Sequence, residues 1–171
     1  MTNALRLWEG EVLPEWIDAN RHMNDGYYAV AFGEASWRVQ DRLGLHAEYR
    51  ARTGGTLYSV EAHLTWDREV ALGQRLHIES LVLGVDAKRL RVFHRLFATD
   101  EGYSAATMDV MMLHVVHTAD GARTTPFPAD IAGPLARVAA EHARLGVPAQ
   151  AGRVVRDIGN RTPRSPGPAR G

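Results

Sequence analysis

Residues 14–45, PEWIDANRHMNDGYYAVAFGEASWRVQDRLGL, decide the fold. Within them Tyr28, Ala31, Phe32, Ala35, Val39 and Leu43 recur at spacings of three and four. That period puts them on one stripe of a helix of about 18 residues, the best-defined element in the chain. Asn24 or Asp25 can cap its start, because a short polar side chain accepts the free N–H groups of a first turn. Gly44 can end it in the left-handed conformation. Before it, residues 5–12 read as a first strand closed by Pro14.

After Gly54-Gly55 the period changes to two, the signature of a strand. Tyr58, Val60, Ala62, Leu64 and Trp66 then face one way, with Ser59, Glu61, His63 and Thr65 opposite. Leu76, Ile78, Ser80 and Val82 alternate in the next strand, and residues 84–87 read as a turn back through Leu90, Val92, His94 and Leu96. Residues 105–116, AATMDVMMLHVV, are apolar on both faces, as a central strand would be. Asp120-Gly121 is a further turn signal. Residues 129–145 predict a shorter helix starting at Pro134, with Leu135, Val138, Ala139 and His142 on one face. One helix followed by a meander of strands is an α+β pattern in which an antiparallel sheet wraps the helix. The sheet's outer face, carrying Arg89, Arg91, Arg95, Phe93 and Phe97, then meets solvent or a second subunit.

Composition narrows the chemistry. The 171 residues are 45% apolar, enough for one domain with a real core. Lysine plus arginine and aspartate plus glutamate both number 20, and this balance argues against a nucleic-acid partner. The absence of cysteine removes disulfides, thiolate zinc ligands and a cysteine nucleophile. No apolar run approaches the ~20 residues that cross a bilayer, and nothing suggests export, so the expected compartment is the cytoplasm, with no membrane partner. The charge is uneven: Arg153, Arg156, Arg161, Arg164 and Arg170 face only Asp157 at the C-terminal end. Residues 1–150 are therefore expected to form one domain and residues 151–171 a basic Pro-, Gly- and Arg-rich disordered tail.

The densest set of reactive groups is Asp18, Asn20, His22, Asn24 and Asp25, just ahead of the long helix. A helix start offers free N–H groups and a partial positive charge, which stabilise an oxyanion or a polarised carbonyl. A carboxylate beside such an end suits acyl transfer, as nucleophile or as base toward water. The same residue types also serve as ordinary turn and capping residues. The histidines make no metal site: His114 and His117 point to opposite faces of a strand, and His63, His77 and His94 fall in separate strands. His94 and His114 read as hydrogen-bonded core residues.

The stretch from Pro14 through Asp18, His22-Met23-Asn24 and Tyr28 resembles the start of hotdog-fold acyl-CoA thioesterases of the 4-hydroxybenzoyl-CoA thioesterase-like superfamily. Within that group the chain is similar to the thioesterases of carnitine breakdown that act on betainyl-CoA. Pro14-Glu15-Trp16-Ile17-Asp18, Gly54-Gly55, Tyr58, Val60-Glu61, His63, Asp86, Lys88-Arg89-Leu90 and Phe93-His94 carry that likeness, as does the segment from Met112 to Val115. Two positions depart from it: Arg21 stands where glycine is usual, and Gln74 where a strand often begins Gly-Asp.

The resemblance implies a hotdog fold and hydrolysis of an acyl-CoA without metal or other cofactor, in a homodimer or a tetramer of such subunits. It makes Asp18 the catalytic carboxylate, with His22 and Asn24 orienting it or the water. The backbone at Gly26, Tyr27 and Tyr28 becomes the oxyanion site, and Glu34, on the helix, a fallback acid. Trp16, Tyr58, Glu61 and Trp66 would line the substrate pocket, aromatic rings suiting a trimethylammonium group. Lys88, Arg89 and Arg91 would meet the CoA phosphates. Two other readings remain at this point. Asp18-Ala19-Asn20-Arg21-His22 echoes a hotdog enoyl-CoA hydratase signature without its proline and one residue short, and a non-catalytic acyl-CoA-binding module would share the fold.

Overall fold

The computed structural model describes residues 4–155. Six strands form one antiparallel sheet: β1 (Leu5–Glu11), β2 (Gly55–Trp66), β3 (Arg75–Val85), β4 (Arg89–Ala98), β5 (Tyr103–Thr118) and β6 (Gly121–Thr124). Their order is β1-β3-β4-β5-β2, with β6 paired to the far end of β5. Three helices accompany them, α1 (Asp25–Arg42), α2 (Ala47–Thr53) and α3 (Ala129–Ala143). The α+β reading holds. No helix among the described residues is long and apolar enough to cross a membrane.

Helix α1 buries the stripe that its spacing predicts: Tyr28, Ala31, Phe32, Ala35 and Val39. Asn24 is its N-cap, accepting from the Gly26 amide at 3.0 Å, and Gly44 follows its end at φ +94°. The helix is not alone in filling the core. Tyr49 of α2, and Ile131 and Leu135 of α3, join the same apolar cluster. The sequence reading missed α2, whose seven residues are too few to show a period. Gly54 closes it at φ +66°, where a Cβ would also approach the His117 carbonyl oxygen to 3.1 Å.

Two boundaries and one strand register differ from expectation. Helix α3 begins at Ala129 and holds Pro134 inside it. A proline disfavours helical geometry in the residue before it through that residue's Cβ, and Gly133 has none. Gly84 and Val85 belong to β3, after a register shift between Val82 and Gly84. The turn is set instead by Asp86, whose carboxylate accepts from the Lys88 and Arg89 amides at 3.0 and 2.7 Å. In β2 a register shift between Ser59 and Glu61 interrupts the strict alternation.

Two buried polar chains tie helices to the sheet. His94, fully buried, lies between Ser36 of α1 (2.9 Å) and Ser80 of β3 (2.8 Å). Burial pushes its imidazole down to about 3, so the ring is neutral. His114 joins the Tyr49 hydroxyl (2.8 Å) to the Thr125 carbonyl (2.9 Å). Both are the hydrogen-bonded core histidines expected from the sequence. On the outer sheet face Phe93 is buried, although it was read as facing solvent or a second subunit. The chain after α3 reaches this face: Gln150 accepts from Arg95, and the Gly152 amide donates to Asp109 at 2.7 Å.

Candidate active site

The loop before α1 is fastened at both ends. Ile17 and Met23 form an isolated bridge. Asp18 N–H donates to the His22 carbonyl at 3.0 Å, and Arg21 N–H to the Asp18 carbonyl at 3.0 Å. The Asp18 carboxylate accepts from the Asn20 amide at 2.8 Å, which fixes one of its oxygens. The tight return is made at Arg21, whose φ of +65° is the one left-handed non-glycine conformation among the described residues. The next residues are clamped too, Met23 N–H to the Val70 carbonyl (2.9 Å) and Asn24 N–H to that of Trp16 (2.8 Å).

The loop, through Asp18, Asn20 and His22, and the start of α1, through Asp25 and Tyr28, line a cavity of about 260 Å³. Trp66, at the end of β2, and Asp67, Arg68 and Glu69 line the same cavity. The Tyr28 phenol is buried, and burial pushes it up to about 12 against the pull of a hydrogen bond with the Val70 backbone. It therefore remains a neutral hydroxyl. At the start of α1 the Gly26 amide is held by the Asn24 side chain, and the Tyr27 amide by the Asn24 carbonyl at 3.0 Å.

The other candidates divide among separate places. Trp16 stacks on Tyr27 at 5.4 Å, beside the loop. Tyr58 bonds His117 at 3.0 Å and lines a different, mostly apolar cavity of about 370 Å³ with Trp37 and Leu57. Glu61 opens on a third cavity, of about 190 Å³, with His63, Arg91 and Asp109. Glu34 accepts a hydrogen bond from the Trp8 indole at 2.7 Å and is not among the residues lining the cavity of Asp18. Of the hairpin cations, Arg89 pairs with Asp86 at 2.6 Å and Arg91 with Asp109 at 2.6 Å. The Arg89 bond and two backbone amides pull the Asp86 carboxyl down to about 2. Lys88 is exposed at the tip.

Sequence reasoning missed Asp67, Arg68 and Glu69. Their only signal was three consecutive charges directly after an aromatic strand end, which also describes any solvated turn.

Residues 12–135 match the Thioesterase-like superfamily. The chain belongs to that superfamily. A betainyl-CoA thioesterase from Pseudomonas aeruginosa is 35% identical over 155 residues, covering 91% of this chain and 96% of the relative. An L-carnitine dehydrogenase/betainyl-CoA thioesterase from Rhizobium meliloti is 35% identical over 90% of this chain, which spans 30% of that longer protein. Among solved structures, a hypothetical protein from Staphylococcus aureus in complex with CoA superposes with a TM-score of 0.80 at 26% identity. The match covers 92% of this chain and 98% of that one. These likenesses bear out the expected hotdog class and the expected enzyme class, an acyl-CoA thioesterase. Within this thioesterase, the position where the resemblance led to the expectation of glycine, Arg21, is the one that takes the left-handed conformation.

Proposed function

We propose that this thioesterase hydrolyses a small acyl-CoA, with betainyl-CoA as substrate and Asp18 as the catalytic carboxylate. The observation that carries the reading is the Asp18 carboxylate at the wall of a cavity beside the start of α1. One oxygen of Asp18 is held by the Asn20 amide, leaving the other to attack the thioester carbonyl or to take a proton from water. As a nucleophile, Asp18 gives a tetrahedral oxyanion that collapses to an Asp18–acyl anhydride as the C–S bond breaks. Water then hydrolyses the anhydride, one of its protons ending on the CoA thiolate. As a base, Asp18 takes a proton from the attacking water and passes it to the thiolate that the collapsing oxyanion expels. The positive end of α1 stabilises that oxyanion, its Gly26 amide becoming available as Asn24 turns from capping to the substrate. His22 and Asn24 orient the water or the carboxylate, while neutral Tyr28 shapes the floor.

The same reading makes the protein a homodimer. Strand β2 ends the sheet order with one edge unpaired, and it exposes Tyr58, Val60 and Trp66. A long apolar edge strand pairs with another chain unless it is blocked, and a second copy of β2 supplies that pairing. Tyr58 and Glu61, remote from Asp18 within one subunit, then have a route to the partner's site. Lys88 is the hairpin cation for a CoA phosphate, since Arg89 and Arg91 already hold carboxylates. An acyl-CoA substrate argues for the cytoplasm as the compartment.

The test is Asp18→Asn, assayed by thiol release from betainyl-CoA. The rate falls by about 10²–10⁴-fold, the range for loss of a positioned acid–base or nucleophilic group, while the far-UV spectrum and melting curve are retained. An unchanged rate removes Asp18 from the chemistry.

A further inference from the structure

The cavity of Asp18 is acidic in a chain whose formal net charge is zero. Four carboxylates line it, Asp18, Asp25, Asp67 and Glu69, against the single guanidinium of Arg68. None of the four takes part in an ion pair among the described residues. Arg68 is itself drawn away, its guanidinium lying 3.9 Å from the centre of the Tyr103 ring. The fifth feature of the wall is Trp66, half of whose surface is exposed.

This arrangement is costly for an ordinary acyl-CoA. Hydrolysis builds negative charge on the carbonyl oxygen, and neighbouring carboxylates oppose that charge. A neutral acyl group offers nothing in return. An acyl group carrying a fixed positive charge close to its carbonyl reverses the sign of every one of these interactions. It also presents a cation to the face of an indole, which attracts it through the ring quadrupole. The wall thus penalises one class of substrate and favours another.

The loop that carries Asp67 and Glu69 is held in place for this task. The Asp67 and Arg68 amides both donate to the Ala105 carbonyl, at 2.8 and 3.0 Å. The Tyr103 hydroxyl donates to the Glu69 carbonyl at 2.9 Å, and the Val70 carbonyl receives the Met23 amide of the Asp18 loop. The backbone that carries Asp67 and Glu69 is therefore tied to the Asp18 loop and to β5, while their carboxylates are exposed. An anchored backbone keeps both carboxylates at this cavity at a lower ordering cost than a free loop would.

We infer that Asp67 and Glu69, with Trp66 as the aromatic wall, are the residues that select a quaternary-ammonium acyl group over a neutral one of equal shape. This rests on the proposed hydrolysis at Asp18 and assigns its specificity to the β2–β3 loop, in place of Glu61, which faces another cavity.

The experiment compares betainyl-CoA with 3,3-dimethylbutyryl-CoA, in which carbon replaces the quaternary nitrogen. The reading is the ratio of the two kcat/KM values in the full-length protein. The wild type favours the cation. Asp67→Asn and Glu69→Gln each lower the ratio by about tenfold, mainly through KM for the cation, and Trp66→Leu lowers it by about fivefold. Asp67→Glu restores most of it, and added salt erodes it in the wild type more than in the doubly neutralised variant. A wild-type ratio at or below one overturns the inference, as do variants that slow both substrates in parallel. Hydrolysis of both compounds at similar rates leaves Asp18 chemistry standing and removes only this assignment. If neither is hydrolysed, the proposed betainyl-CoA substrate falls with it.

Discussion

Replacing Arg21 by glycine should stabilise the protein. Arg21 holds φ +65° at the tip of the loop between the bridged residues Ile17 and Met23. For an L residue with a Cβ this conformation costs about 1–2 kcal/mol. Glycine adopts it freely, but loosens the unfolded chain by about 0.5–1 kcal/mol in return. The strain is the larger of the two, so Arg21→Gly gains about 0.5–1 kcal/mol. The side chain itself contributes little, being exposed and in no ion pair among the described residues. Urea unfolding reads the effect as a midpoint higher by about 0.3 M, for a slope of about 2 kcal/mol/M. Arg21→Ala is the control, because it removes the guanidinium and keeps the Cβ. It should leave the midpoint within about 0.2 M of the wild type. A glycine variant no more stable than the alanine variant would refute the assignment of strain to this backbone angle.

Two further outcomes are expected. His94 is held down to about 3 by burial, so below the unfolded value near 6.5 the unfolded chain binds a proton that the folded chain refuses. Stability is then lost progressively as pH falls from about 6.5 toward 3, at up to about 1.4 kcal/mol per pH unit. His94→Gln flattens the urea midpoint across that window, and parallel profiles for the two proteins would show that His94 is not the group responsible. On the edge strand, Val60→Asp places a charge in the pairing that β2 offers to a second copy. Light scattering at micromolar concentration should find a dimer for the wild type and a monomer for the variant, whereas a monomeric wild type defeats the edge-pairing proposal.

The sequence was most legible where a feature was local and long. Helix α1 showed itself through 18 residues of regular spacing, and its Asn24 cap and Gly44 end through short-range chemistry that needs no tertiary partner. His94 was legible as a core residue because it shares the alternation of Leu90, Val92 and Leu96, and His114 because it sits in an apolar run. The shorter α2, the Pro134-containing start of α3 and the register shifts in β2 and β3 were not. Each is settled by contacts from elsewhere in the fold, such as the Tyr49–His114 bond that anchors α2 from β5.

The candidate site divides along the same line. Asp18, Asn20, His22, Asn24 and Asp25 lie within eight consecutive residues, so their proximity is a property of the chain itself, and Asp18, His22 and Asn24 carry part of the resemblance to thioesterases. That Arg21 must turn left-handed, that Asp67 and Glu69 line the cavity of Asp18, and that Tyr58 and Glu61 open on other cavities are decided only by tertiary structure. The reason is physical: helical and strand periods are written over a few residues, whereas which wall faces which depends on how an antiparallel sheet and its helices close on one core. The sequence by itself placed a carboxylate at a helix start. The closing of the sheet decided what charge that carboxylate would face.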